Sequence, residues 1–234
     1  MNPSVNLPAA NAAAVRFRTR YVLVLLALFL AATVCSGIGA HYPQDWLLEN
    51  SITLALLAPV FIWRKKLLPI LSLTSWTFLF VYLCIHELGA HWTYSEVPYR
   101  EWWAALTGGA LPPDGAAWAG RNHFDRLVHF LYGLLLTLPL RECITAASPL
   151  KRGFWSHFVP FDIIMSTSML YELIEWLAAE IFGGELGQAY NGTQGDIWDP
   201  QKDMALATLG GLVAILAIWL VPKLTHKHKS PTAT

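Results

Sequence analysis

The chain has 234 residues, of which 55% are hydrophobic and only 14% are charged, and its formal net charge is zero. A soluble domain usually carries about 25% charged residues, so this composition argues against a soluble domain and predicts a membrane protein. A net charge of zero provides no basic field for nucleic acid, and we expect no nucleic-acid partner. The three cysteines lie in apolar runs without a C-x-x-C pair, which argues against a disulfide framework or a cysteine zinc site.

Apolar segments predict an all-α polytopic bundle of about six transmembrane helices in the lipid bilayer, and the first of them has about the 20 residues that a span needs. Five cover residues 21–40, 46–63, 67–86, 126–140 and 159–182, and the sixth starts after Asp199-Pro200 and ends at Val221. We expect a disordered cytoplasmic tail over 1–20, a single transmembrane domain over 21–222 and a basic cytoplasmic tail over 223–234. The first segment is longer than the apolar core of a usual signal peptide, which favours an uncleaved helix.

Basic residues mark alternate loops between the predicted helices. Arg16, Arg18 and Arg20 precede the first helix, Arg64, Lys65 and Lys66 follow the second, Arg141, Lys151 and Arg152 follow the fourth, and Lys223, Lys227 and Lys229 follow the sixth. Because cytoplasmic loops are enriched in Lys and Arg, this alternation predicts that both termini lie in the cytoplasm of a bacterial cell.

With this topology, four helices present polar residues at the outer membrane face. His86, Glu87 and His91 end the third helix, Asp125 and His129 begin the fourth, Glu172 and Glu175 lie in the outer half of the fifth, and Asp196, Asp199 and Asp203 begin the sixth. Asp199 before Pro200 is a typical helix cap. In the loop between the third and fourth helices, residues 98–106 predict a short helix with its tryptophans at headgroup depth, either as a lid or as an anchored connector.

The histidines among these residues predict a candidate metal site. Histidine nitrogen and carboxylate oxygen are the ligands of catalytic Zn²⁺ and similar ions, which keep one position for water. We assign His86, His91, Asp125 and His129 as candidate ligands of a divalent ion such as Zn, Mn or Fe. The alternative is that the histidines lie at the interface and form hydrogen bonds with carbonyls or headgroups.

The carboxylates predict candidate catalytic groups. Inserting a charged residue into a span costs roughly 2.5–3.5 kcal/mol, so Glu172 and Glu175 need polar partners. Two close carboxylates favour a shared proton, which makes a general acid or base available. We name Glu87, Glu172, Glu175 and Asp196 as candidate catalytic residues that orient water or act as base. The alternative is a hydrogen-bonded network that only fixes helix packing.

Four stretches of the chain also occur together in a known family. They are His86-Glu87-Leu88-Gly89-Ala90-His91 with Tyr94, Arg121-Asn122-His123-Phe124-Asp125-Arg126-Leu127-Val128-His129-Phe130, Tyr171-Glu172-Leu173-Ile174-Glu175-Trp176, and Gly192-Thr193-Gln194-Gly195-Asp196-Ile197-Trp198-Asp199. In these stretches the chain resembles the YjdF-like family of bacterial inner-membrane proteins, classed as a domain of unknown function. The resemblance covers about residues 20–222 and implies a multi-pass inner-membrane protein, but no activity.

Three functions are compatible with this pattern. We hypothesise a metal-dependent hydrolase of a lipid or lipid-linked substrate, because a site at headgroup depth meets the scissile ester or phosphate. The alternatives are a proton- or cation-coupled transporter and a structural membrane protein whose polar cluster only locks helix packing. Charges on one side only argue against the transporter, since a transport path needs polar groups across the whole bilayer.

Overall fold

The computed structural model describes residues 9–109, 121–148, 153–182 and 193–227, and every regular element in these ranges is a helix. The helices are α1 (Ala9–Gly37), α2 (Pro43–Ile62), α3 (Arg64–Ile70), α4 (Leu73–His91), α5 (Tyr99–Thr107), α6 (Phe124–Ala147), α7 (Trp155–Phe182) and α8 (Asp199–Lys227). The predicted all-α class is therefore confirmed.

Four of these helices are long and apolar enough to cross a membrane. The apolar segments are Ala12–Gly37, Leu73–His91, Phe124–Ala147 and Asp199–Val221. The other two long helices, α2 with 20 residues and α7 with 28, have the length for a crossing but carry acidic residues along their course. The protein is thus a helical membrane protein with four candidate spans and two further long helices, α2 and α7.

Two helix starts differ from the prediction by more than five residues. The third long helix begins at Leu73 and not at residue 67, because Ser72 is extended and accepts a hydrogen bond from the Ser75 amide at 3.1 Å, which caps α4 and separates it from α3. The first helix begins at Ala9, so residues 9–20 of the predicted disordered tail are helical, as their alanine content favours. The rest of that tail, 1–8, and residues 228–234 of the basic tail lie outside the described residues.

Helices α6 and α8 form the most extensive contact of the fold. Their backbones touch at two glycines: a Cβ on Gly133 would lie 1.9 Å from the Ala207 carbonyl oxygen, and a Cβ on Gly210 would lie 2.0 Å from the Phe130 carbonyl oxygen. Only glycine permits this approach, which is typical of close helix pairs in membranes. Helix α4 packs on the other side of α6, α1 packs on α4, and α7 packs on both α6 and α8.

The bundle has two distinct ends. At one end of the bundle, α1, α4 and α7 finish and α2, α6 and α8 begin. We call it the polar end, because four buried carboxylates lie there: Glu49, Glu87, Glu172 and Asp203. At the opposite end Glu142 of α6 accepts a hydrogen bond from the Ser72 amide at 2.8 Å, and Arg18 of α1 donates to the carbonyls of Leu68 and Pro69. The helix directions therefore bring the predicted polar residues to one end of the bundle.

Candidate functional site

His86, at the polar end of α4, has hydrogen-bond partners for both ring nitrogens. The hydroxyl of Tyr94 contacts Nδ1, and Thr53 Oγ1 lies 2.7 Å from Nε2. Burial raises the pKa of the Tyr94 hydroxyl well above its usual value, so this hydroxyl keeps its proton and donates to Nδ1. Nε2–H then donates to Thr53, and the neutral ring has no lone pair left for a metal ion.

Glu87 and His91 connect α4 to the end of α1. The buried Glu87 carboxylate accepts from Thr33 Oγ1 at 2.7 Å and from Ser36 Oγ at 2.5 Å. His91 Nδ1 donates to the Ser36 carbonyl oxygen at 2.6 Å. Both residues therefore use their polar atoms to hold α1 against α4.

Tyr94 reaches back to His86 through a backbone reversal that sequence reasoning missed. Thr93 and Tyr94 both have left-handed φ values, of 49° and 55°, and the Tyr94 amide donates to the Gly89 carbonyl at 2.8 Å. A Cβ on Gly89 would lie 2.5 Å from the Tyr94 ring, so a glycine is required where the ring folds over the helix. The stretch from His86 to Tyr94 thus forms one local structural unit.

A second polar group lies across α6, α7 and α8, and we call its members Asp125, His129, Glu172 and Asp203 the His129 cluster. His129 Nε2 is 3.6 Å from Asp125 Oδ1 and 3.4 Å from Glu172 Oε1. Asp125, His129 and Asp203 each provide one ligand atom, and these three atoms lie within 4.8 Å of one another. Donor atoms around one divalent ion lie roughly 3–4 Å apart, so these three side chains are close to the geometry of a metal site.

Two carboxylate oxygens of the His129 cluster are buried and have no hydrogen-bond partner among the described residues. They are Glu172 Oε1 and Asp203 Oδ1, from side chains that are 7% and 2% exposed. Ser168, one turn before Glu172, is also 2% exposed, and its hydroxyl is likewise unpaired within the described part of the chain. Buried polar atoms are normally paired, so these orphaned atoms indicate a site for a bound cation or water.

An ion-pair layer covers the cluster on the loop side. Asp199 pairs with Arg121 and, at 3.1 Å, with Arg126. Arg126 also pairs with Asp196 Oδ2 at 2.5 Å. Lys202 donates to Asp196 at 2.6 Å, and this contact holds the pKa of the Asp196 carboxyl well below its usual range. The structure confirms that α8 starts at Asp199, but the Asp199 carboxylate binds guanidinium groups in addition to any role as a cap.

Two more carboxylates, which sequence reasoning missed, lie on α2. Asp45 and Glu49 are 2% and 5% exposed, and Glu49 Oε2 accepts from the Tyr171 hydroxyl at 3.1 Å. The Tyr171 ring lies 6.1 Å from the His129 ring, so Glu49 borders the His129 cluster. The signal was present in the sequence, since a carboxylate pair spaced by four inside an apolar segment marks a polar helix face.

A cavity of about 360 Å³ opens beside the ion-pair layer at the polar end. Its lining includes Arg100, Glu101, Arg121, Asn122 and Gln194, from the start of α5 and the loops before α6 and α8. Arg121 also pairs with Asp199, so one side chain connects the cavity wall to the layer over the His129 cluster.

The predicted site residues therefore divide into two groups. His86, Glu87 and His91 form hydrogen bonds with α1, α2 and the turn after α4, whereas Asp125, His129 and Glu172 come together, with Asp203 added. Glu175 lies within electrostatic range of Asp125 and Glu172, and Asp196 lies in the ion-pair layer. A metal or catalytic role for any of these residues stays a prediction.

The fold and the site define a class: a helical membrane protein with a histidine and several carboxylates enclosed at one end of its bundle. The chain belongs to a family of predicted membrane proteins, the domain of unknown function DUF2238, whose model matches residues 21–223. It is also 31% identical over 207 residues to the inner membrane protein YjdF of Escherichia coli strain K12, covering 85% of this chain and 90% of that protein. The resemblance to the YjdF-like family and the location in the bacterial inner membrane are thus confirmed. No solved structure matches the chain.

Proposed function

We propose that the protein is a metal-dependent hydrolase of a lipid or lipid-linked substrate, with the ion held by Asp125, His129 and Asp203. The observation that carries the proposal is the set of three ligand atoms within 4.8 Å, which α6 and α8 supply. The unpaired Oδ1 of Asp203 supports it, because a buried carboxylate oxygen without a donor is stabilised by a cation. Compared with the sequence-based ligand set, this one omits His86 and His91 and adds Asp203.

The reaction assigns one role to each neighbouring group. An ion in this position would lower the pKa of a bound water, as catalytic metals do. Glu172, which lies 3.4 Å from His129, would take a proton from the attacking water as the water oxygen adds to the ester carbon or phosphorus. The ester C–O or P–O bond then breaks, and the leaving oxygen takes up the proton.

The cavity beside Arg121 supports a substrate with an anionic head. Arginine pairs well with phosphate and carboxylate groups, and Arg100 and Arg121 line the same cavity. The proposed topology, six spans with both termini in the cytoplasm, puts this cavity at headgroup depth on the outer face. A lipid could then reach the site without leaving the membrane.

The first test is the metal content of detergent-purified protein, measured by mass spectrometry for the wild type, His129→Ala, Asp203→Asn and a control. The matched control is Asp162→Asn, which makes the same chemical change at an exposed position near the start of α7. We expect bound Zn, Mn or Fe in the wild type and in Asp162→Asn, and at least a tenfold loss in the other two variants. Wild-type protein without metal after gentle purification would contradict the proposal.

The second test is hydrolysis. Wild-type protein and His129→Ala are incubated with mixed phospholipid vesicles, and released fatty acid, phosphate and water-soluble headgroup are quantified. We expect the wild-type protein to release at least one of these products, a chelator to abolish the release, and His129→Ala to release none. Metal binding without release of these products would contradict the hydrolase activity. It would favour cation-coupled transport, which would use the same metal site but needs no bond cleavage.

A further inference from the structure

The end of the bundle opposite the polar end carries a group of exposed basic side chains on two helices. Helix α1 supplies Arg16 and Arg20, and α3 supplies Arg64, Lys65 and Lys66. We call these five residues the basic rim, and each of them is exposed. Among the described residues, none of the five forms an ion pair with a carboxylate. Their positive charges are therefore not neutralised by side chains in the described part of the chain.

Hydrogen bonds from Arg18 hold the two basic segments together. Arg18 lies between the two rim arginines of α1 and donates to the carbonyl oxygens of Leu68 and Pro69 at 3.2 and 3.1 Å. These carbonyls belong to the last turn of α3, where backbone oxygens have no partner within the helix. A helix rises about 1.5 Å per residue, so Arg64 lies only about 6 Å from Leu68 along the axis of α3. Because charges act over a Debye length of about 8 Å in physiological salt, the fields of the two basic segments overlap.

Exposed apolar side chains adjoin the basic rim on both sides. At the end of α2, Phe61 and Ile62 are 59% and 68% exposed, and Trp63, which links α2 to α3, is 55% exposed. On α1, Phe17 follows Arg16 and is 60% exposed. A change from apolar to basic side chains at a helix end is typical of the membrane–water interface, where tryptophan lies at headgroup depth and Lys and Arg extend toward the phosphates.

We infer that the basic rim is a binding site for an anionic phospholipid, whose phosphate lies among the cations and whose acyl chains lie along Phe61 and Ile62. Charge complementarity selects this ligand, because basic side chains at a membrane surface attract anionic headgroups, whereas a zwitterionic headgroup has no net charge. A soluble polyanion would match the charge but would leave the adjoining apolar side chains without contact. The inference is independent of the proposed hydrolase, since the basic rim and the His129 cluster lie at opposite ends of the bundle.

Native mass spectrometry of the full chain in detergent counts the lipids that remain bound to the folded protein. Protein is titrated separately with phosphatidylglycerol, cardiolipin and phosphatidylcholine that carry the same acyl chains. The test variants are Lys65→Gln with Lys66→Gln, and Arg16→Gln with Arg20→Gln. The matched control is Lys65→Arg with Lys66→Arg, which keeps both charges.

The wild type and the arginine control are expected to bind the two anionic lipids at least about tenfold more tightly than phosphatidylcholine. Each glutamine variant is expected to lose about tenfold or more in affinity for the anionic lipids, because two of the five cations are removed. Unchanged binding in both glutamine variants would place the lipid elsewhere on the protein and overturn the inference. A loss in the arginine control as large as in the glutamine variants would also overturn it, since charge would then not be the cause.

The wild-type protein alone gives an answer even if a variant fails to fold. Salt screens exposed charges, so the affinity for phosphatidylglycerol should fall as the ammonium acetate concentration rises, while the binding of phosphatidylcholine stays constant. Equal affinity of the wild type for phosphatidylglycerol and phosphatidylcholine, at every salt concentration, overturns the inference and leaves the proposed metal site unaffected.

Discussion

Single hydrogen bonds decide which histidine is available for chemistry. His86 and His129 are both buried histidines at the polar end, yet they differ in their partners. His86 is held by Tyr94 and Thr53, so both its nitrogens are used. His129 Nε2 lies 3.4 Å from Glu172 Oε1 and 3.6 Å from Asp125 Oδ1, and ligand atoms of Asp125, His129 and Asp203 lie within 4.8 Å of one another, a spacing that suits an ion among them.

This difference predicts the effect of Tyr94→Phe. Removing the hydroxyl leaves His86 Nδ1 buried without a donor, which costs about 1–3 kcal/mol. We expect a lower melting temperature for the purified variant in detergent, with an unchanged metal content per folded chain. The matched control is Tyr42→Phe, because Tyr42 is 44% exposed and its loss of a hydroxyl should change stability by no more than about 0.5 kcal/mol.

One result would contradict the assignment of His86 as a hydrogen-bonded histidine that binds no metal. If Tyr94→Phe lost metal while remaining as stable as the wild type, the histidine would belong to the ion site and the hydroxyl would orient it as a second-shell partner does.

At the scale of helices, the His129 cluster depends on how closely α6 and α8 approach. Asp125 and His129 lie one or two turns before Gly133 on α6, and Asp203 lies about two turns before Gly210 on α8. Because both glycines touch the opposite backbone, they set the separation of the helices that supply the three proposed ligands.

Gly133→Ala is therefore expected to destabilise the fold and to weaken metal binding together. The new Cβ would lie 1.9 Å from the Ala207 carbonyl oxygen, and a backbone atom yields only if the helices separate. We expect a cost of about 1–3 kcal/mol or more in unfolding free energy. Thermal unfolding in detergent and the metal content of the remaining folded protein are the measurements.

Gly211→Ala is the matched control for this prediction. Its Cβ would lie 3.2 Å from the side chain of Phe161 and 3.4 Å from that of Ile164, and no backbone atom is among these contacts, so the expected loss of stability is smaller. Equal effects of the two substitutions would show that the backbone contact at Gly133 is not what sets the helix separation.

Hydropathy and loop charge predict the long helices and the meeting of their polar ends, because a membrane permits few alternatives to helices. They predict much less of the site. Sequence spacing groups His86 with His129, but the choice of partners depends on the left-handed turn that returns Tyr94 to the helix. The spacing of Asp45 and Glu49 marks a polar helix face, but the partner of Glu49, Tyr171, is 122 residues away in the chain, and only packing brings the two together.

For the whole molecule, the function depends on which side of the membrane the polar end faces. Both the cavity at Arg121 and the His129 cluster lie at that end, and the proposed topology exposes them on the outer face. The basic residues Arg64, Lys65 and Lys66 lie at the opposite end, where α2 finishes and α3 begins. A lipid substrate of the outer leaflet is accessible only if this orientation is correct.

Cysteine labelling tests the orientation directly. After replacement of Cys35, Cys84 and Cys143 by serine, a single cysteine is introduced at Ile197, which is 82% exposed in the loop before α8, or at Lys65. We expect a membrane-impermeant maleimide to label Ile197→Cys in intact spheroplasts and Lys65→Cys only after permeabilisation. Because an odd number of spans would put the two tails on opposite sides, cysteines near the two ends of the chain serve as further probes. Labelling of Lys65→Cys alone in intact cells would invert the topology and direct the search for substrates to the cytoplasmic leaflet.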